Sequence, residues 1–135
     1  VSIGAHRIIL HLTSKSDIRK AIDDIKGKVK IGLALNMETS IDSIDSYIDD
    51  ISSVQLMGID NIGFQGQQFD EKVLERVVEV RMKYPDLTIT VDGGVSLETA
   101  PKLVLAGANR LIVGSAIFES DNYIEAIQKF KGINK

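Results

Sequence analysis

The chain has 135 residues, the size of one domain or part of one. A hydrophobic content of 44% is enough to fill a core, and a net charge of −3 lacks the basic footprint of a nucleic-acid binder. With no cysteine, disulfides, a thiolate nucleophile and thiolate metal sites are excluded. No apolar run approaches ~18 residues, so no membrane span is expected. The first residues show neither a signal nor a transit pattern, and the expectation is a soluble cytoplasmic protein. A start at Val1 instead of Met fits a chain that is processed, truncated or read from an incomplete frame.

In chain order, residues 7–12 form a short apolar run that predicts a strand. Residues 17–26 place Ile18, Ala21, Ile22 and Ile25 at helical spacing, with Gly27 as the stop. Residues 29–35 read as the next strand. Residues 40–51 put Ile41, Ile44, Ile48 and Ile51 on one helical face. The aspartates Asp42, Asp45, Asp49 and Asp50 occupy the other faces, and a solvated surface explains them better than a metal site. Residues 53–59 are strand-like. Asp70 can cap a helix whose Val73, Leu74, Val77 and Val78 make an apolar stripe, and Pro85 stops it. A strand over 87–91, a helix over 97–106 and a strand over 110–113 follow. Residues 123–130 close the series as a helix with Tyr123, Ile124, Ile127 and Phe130 inward.

Five strand–helix units with continuous apolar strands mean a parallel α/β sheet buried on both faces. Residues 1–135 read as a single domain, since no linker or composition shift divides them. Strand count alone favours an open flavodoxin-like sheet of about five strands over a (β/α)8 barrel, which needs eight and typically ~250 residues.

The chemistry gathers at strand ends. Residues 91–95 read Val-Asp-Gly-Gly-Val, and residues 114–118 read Gly-Ser-Ala-Ile-Phe. Asp92 ends one predicted strand, the functional end in either architecture. An Asp-Gly pair is also an ordinary turn, so Asp92 alone divides evenly between function and turn. A Gly-Ser turn after the next strand, and Gly63, Phe64, Gln65, Gly66 and Gln67 after the previous one, tip the balance. Backbone N–H groups there, with a helix starting near Ser115, predict an anion pocket beside an acid. That combination suits a small phosphorylated substrate that exchanges a proton.

From Met57 through Phe118 the chain resembles the ribulose-phosphate 3-epimerase family. The family's Val-Asp-Gly-Gly-Val matches residues 91–95 outright, and Gly-Ser-Ala-Ile-Phe matches residues 114–118. Glu98-Thr99-Ala100-Pro101 and Ala106-Gly107-Ala108 match the intervening helix. Gly32-Leu33-Ala34-Leu35-Asn36 and Ile9-Leu10-His11 are similar to upstream family strands. The resemblance changes the architecture to a partial (β/α)8 TIM barrel, with these five units corresponding to strands four to eight. It implies an incomplete barrel and inversion at C3 of a ketose phosphate, D-ribulose 5-phosphate to D-xylulose 5-phosphate, in the pentose phosphate pathway. Proton removal would give an enediolate stabilised by a divalent metal ion, with reprotonation on the opposite face.

By the same resemblance, Asp92 is a metal ligand and one of two acid/base groups. The other ligands, two histidines and an aspartate, belong to strands outside this sequence. The implied cofactor is one divalent ion (Zn, Fe, Mn or Co) in the complete protein. Gly63, Phe64, Gln65, Gly66, Gly93, Gly94, Gly114 and Ser115 would bind the substrate phosphate, while Met57 and His11 would line the site. A core role serves Met57 equally well, and His6 reads as a surface residue. The sequence departs from the family at three points. The loop from Met57 to Gly63 is one residue longer and lacks a proline, Gln65 stands in place of glycine, and Thr13 replaces a glutamate. These fit a divergent branch, acting on another sugar phosphate or without turnover.

The implied partners are a small sugar phosphate and further copies of the chain, with no nucleic acid and no membrane. The alternative is a non-catalytic sugar-phosphate-binding half-barrel that covers its open edges by self-association. A third, weaker reading is another phosphate-binding barrel enzyme such as a synthase, against which the acid at residue 92 argues.

Overall fold

The five apolar runs form five parallel strands: β1 (Arg7–His11), β2 (Lys30–Leu35), β3 (Ser53–Met57), β4 (Thr88–Asp92) and β5 (Arg110–Ile112). The structure, a computed structural model, describes residues 3–59 and 69–133. Between and after the strands lie α1 (Ile18–Ile25), a 3-10 helix (Ile41–Asp50), α2 (Lys72–Lys83), α3 (Thr99–Ala106), α4 (Ser115–Phe118) and α5 (Tyr123–Gly132).

Strand order separates the two architectures. The sheet runs β1-β2-β3-β4-β5, and every neighbouring pair is parallel. A flavodoxin-like sheet reverses direction at a switch point. Here each strand joins beside its predecessor, and right-handed crossovers then lay every helix on one face. That is the winding of a barrel wall. Strand count alone pointed to the open sheet; strand order is consistent with the partial barrel.

The two faces of the sheet differ in kind. On the helix side, Leu10, Leu33, Val54 and Ile89 lie in register across four strands, and Leu35, Leu56, Val91 and Leu111 follow one layer higher. Leu33, Leu35, Val54, Leu56, Ile89 and Val91 are fully buried against Ile22, Ile44, Val73, Val77, Val80 and Leu103. Burial of each such side chain contributes roughly 1.5–3 kcal/mol. The other face carries Ile9, Gly32, Ser53 and Thr88 in one layer, then His11, Ala34, Gln55, Thr90 and Arg110, then Met57, Asp92 and Ile112. A strand exposes alternate residues to opposite faces, so this mixed set, which carries the sheet's polar side chains, is fixed by the same register that buries the apolar one. Gly32 is required there: a Cβ would come within 2.6 Å of both Ile9 Cδ1 and Ser53 Oγ.

Local signals place most helix ends. Asp17 caps α1, its carboxylate accepting from Lys20 N at 3.0 Å. Asp70 accepts from Lys72 N at 2.9 Å ahead of α2, and that helix ends at Lys83, ahead of Pro85. Gly107 ends α3 in the left-handed conformation, φ +114°.

Three side-chain expectations change. Val78 is exposed and Val80 completes the buried α2 stripe with Val73 and Val77, because spacings of four and three keep to one face. Tyr123 and Ile124 are exposed on α5, where Ala126 is buried. Asp50 is not on a solvated face: its side chain is 9% exposed and pairs with Arg19 and Lys26. Asp42 and Asp45 both bind Lys83. Three of the four aspartates thus pair with cations from α1, its C-cap and α2, while Asp49 faces solvent.

Candidate active site

Asp92 is the last residue of β4, and Met57, the last of β3, is its partner in register. Met57 is buried and Asp92 half-buried. Burial pushes the Asp92 carboxyl above its ordinary range, and the nearby charge of His11 draws it part-way back. Gln55, one layer below Met57 on the same face, donates its side-chain amide to Asp92 Oδ2 at 3.0 Å. The same amide lies 3.7 Å from Met57 Sδ. The expected lining residues Met57 and His11 therefore sit with Asp92 on one face.

The chain beyond Asp92 is shaped by glycine. Gly93 and Gly94 have φ of +100° and +66°. A Cβ on Gly94 would lie 2.8 Å from the Phe69 Cα, and one on Gly58 would lie 2.5 Å from the Gly93 carbonyl oxygen. Gly58 N donates to Asp92 O at 2.8 Å, which ties the start of the loop after β3 to the end of β4. Ser96 Oγ accepts from Glu98 N and Thr99 N, and Thr99 Oγ1 donates to Gly94 O at 3.0 Å. The turn after Asp92 is thereby held in one shape.

Gly114 and Ser115 follow β5 at the same edge of the sheet, since Ile112 pairs with Asp92. The helix starting at Ser115 is α4, only four residues long. Its macrodipole is correspondingly small, and any anion affinity there comes from unpaired N–H groups of the first turn. Gly63, Phe64, Gln65 and Gly66 lie outside the described residues.

Two residues of this edge went unread in the sequence. Gln55 is one; its signal was an amide inside the apolar run Val54-Gln55-Leu56. Arg76 is the other, donating to the carbonyl oxygens of Met37 (2.8 Å), Asn36 (3.2 Å) and Thr39 (2.7 Å) beyond β2. It has no distinctive sequence signal, being one of many basic residues on helices.

Residues 1–118 match the family model described as the Ribulose-phosphate 3 epimerase family. The chain belongs to this family. It is 38% identical over 135 residues to the ribulose-phosphate 3-epimerase of Bacillus subtilis, covering 96% of this chain and 62% of that protein. It is 34% identical to the chloroplastic ribulose-5-phosphate-3-epimerase of Arabidopsis thaliana, with 97% and 49% covered. With the ribulose-phosphate 3-epimerase of Escherichia coli K12 the identity is 31%, with 95% and 59% covered. The chain thus spans about half to three-fifths of the length of these relatives.

Among solved structures, 3-hexulose-6-phosphate synthase from Salmonella typhimurium superposes with a TM-score of 0.74 at 17% identity, over 98% of this chain and 63% of that one. KGPDC from Streptococcus mutans gives a TM-score of 0.69 at 24% identity, over 96% of this chain and 60% of that one. These likenesses fit a segment of a (β/α)8 barrel.

Ribulose-phosphate 3-epimerases generally depend on a divalent metal. Among the described residues no three His, Asp or Glu side chains come together as a ligand set. Asp92 alone does not fit a metal site, which normally takes three or four protein ligands. Among the described residues no helix is long and apolar enough to cross a membrane.

Proposed function

We propose that the complete protein inverts C3 of a ketose phosphate, converting D-ribulose 5-phosphate to D-xylulose 5-phosphate, with Asp92 as one of its two acid/base groups. The observation that carries this reading is the placement of Asp92. In a chain of the epimerase family, it is half-buried at the C-terminal edge of a barrel-type sheet, next to Gly93 and Gly94. Removal of the C3 proton by a carboxylate sends the C–H electrons toward the C2 carbonyl and gives an enediolate. Return of a proton to the other face of C3 inverts the centre. The second acid/base group belongs to the remainder of the complete protein. Burial favours the task, because a carboxylate with a raised pKa is a stronger base once ionised.

Gly93, Gly94, Gly114 and Ser115, with the loop Gly63, Phe64, Gln65 and Gly66, would hold the phosphate through backbone N–H groups. Met57 and His11 would flank the carbon skeleton. Asp92 would serve as one ligand of a divalent ion only if further ligands come from outside this chain. On the same reading, residues 1–135 form part of one barrel domain, working in the cytoplasm. In the complete barrel the remaining strands would cover β1 and β5, which among the described residues each pair on one side only. Self-association through those edges belongs instead to the alternative reading, a non-catalytic sugar-phosphate-binding half-barrel.

The test is conversion of D-ribulose 5-phosphate to D-xylulose 5-phosphate by the complete protein, followed by NMR. Asp92→Asn, which keeps the shape and loses the base, is expected to lower kcat by about 10²–10⁴-fold. Wild-type turnover that survives in Asp92→Asn would remove Asp92 from the chemistry.

A further inference from the structure

Burying the carboxamide of Gln55 needs a reason. The residue is 8% exposed, and Ala34 and Thr90 stand beside it in register. An amide taken from water without hydrogen bonds costs free energy, whereas a leucine or methionine of similar volume would fill the space at no such cost. The amide has one strong acceptor among the described residues, Asp92 Oδ2 at 3.0 Å, and one weak one, Met57 Sδ at 3.7 Å. Both belong to the proposed site.

An aspartate carboxylate turns easily, because the χ2 torsion of Asp is broad and nearly two-fold. A proton-transfer group gains from the opposite property. Misplacement of a reacting group by about 1 Å can cost 10²-fold in rate. We propose that Gln55 is a positioning residue for this reaction: its amide pins Asp92 Oδ2, fixes the plane of the carboxylate and leaves Oδ1 to meet the substrate carbon. The choice of side chain supports this. A lysine or arginine at position 55 would hold the carboxylate equally well but neutralise the base. The amide holds it without adding charge. The same nitrogen lies 3.7 Å from Met57 Sδ, so one amide links the β3 and β4 ends.

This inference rests on the epimerase reading of Asp92, and the experiment separates the two. Four forms of the complete protein are compared: wild type, Gln55→Met, Asp92→Asn and the double variant. Each is assayed for kcat and KM with D-ribulose 5-phosphate and for thermal stability. Gln55→Met is expected to lower kcat by roughly 10–100-fold with KM changed less than about threefold, because it disturbs geometry in the transition state and not uniform binding. In the Asp92→Asn background the same change is expected to lower the residual rate less than about twofold, since Gln55 acts through Asp92. Gln55→Asn, polar but one methylene too short to span the contact, serves where Gln55→Met folds poorly, and the same kcat loss is expected. A folded Gln55→Met or Gln55→Asn with wild-type kcat would overturn the positioning role while leaving Asp92 in place. So would equal losses in the wild-type and Asp92→Asn backgrounds. Normal turnover in Asp92→Asn would overturn the reading of Asp92 and the inference with it.

Discussion

Asp92 and the two glycines after it show how much one turn demands. Gly94 has φ +66°, a conformation that costs a residue with a Cβ roughly 1–3 kcal/mol. The contact a Cβ would make, 2.8 Å to the Phe69 Cα, is with backbone that cannot rotate away. Gly94→Ala is therefore expected to lose more than conformational strain alone, about 3 kcal/mol, with a matching fall in the urea midpoint. An unchanged midpoint would mean the turn has another low-energy shape. At this scale the sequence was legible where a residue type has few uses. An acid followed by Gly-Gly marked the end of a strand, where β4 does end at Asp92, and the register sets Met57 and His11 on the same face as Asp92. Gln55 was not legible, because its purpose depends on a partner 37 positions away on the neighbouring strand. Sequence pattern alone reports the face of a strand, not the group opposite it.

Helices show the same limit one level up. In α2 the adjacent Val77 and Val78 are equally apolar, and Val77 goes inward because it shares a face with Val73 and Val80, the face that packs toward α3, β3 and β4. In α5 Phe130 packs against the core and Ile127 is half-buried, as their spacing predicts, whereas Tyr123 and Ile124 in the first turn are exposed. In the 3-10 helix Ile41 and Ile44 are buried and Asp42, Asp45 and Asp49 are exposed, as the pattern predicts, and only Asp50 departs from it. Lys26 first, and then Arg19, hold the Asp50 carboxyl below the ordinary carboxylate range. A depressed folded pKa stabilises above the unfolded value near 4 and is lost as pH falls through the folded value. Asp50→Asn is thus expected to melt at a lower temperature than wild type at pH 7. The difference should shrink as the pH falls below the unfolded value near 4. Thermal melts across that range check it, and a pH-independent gap would assign the loss to packing instead of charge. These pairs tie α1 to the end of the 3-10 helix, and Lys83 ties α2 to its start through Asp42 and Asp45. Asp42, Asp45 and Asp50 therefore form a structural seam between helices.

For the molecule as a whole, strand order carries the argument. Counting five strands favours an open sheet, whereas joining each strand beside its predecessor winds a barrel wall. Winding depends on which strands meet, and periodicity is silent about that; motif order supplied it through family resemblance. The consequence is functional. A single winding direction brings the C-terminal ends of all five strands to one edge, where Asp92, Met57 and the Gly93, Gly94, Gly114 and Ser115 turns sit. The face leading to that edge is lined by Ser53, Gln55, Thr90 and His11, a polar surface of a kind that a sheet packed between two helix layers does not carry.

The central claim is that Asp92 moves the proton at C3. Incubation of the complete protein with D-ribulose 5-phosphate in heavy water, with deuterium at C3 read by NMR, tests it without reference to the position of equilibrium. Wild type should place solvent deuterium at C3, and Asp92→Asn should slow that exchange by at least about 100-fold. Exchange at the wild-type rate in Asp92→Asn, or no exchange by the wild type, would contradict the account.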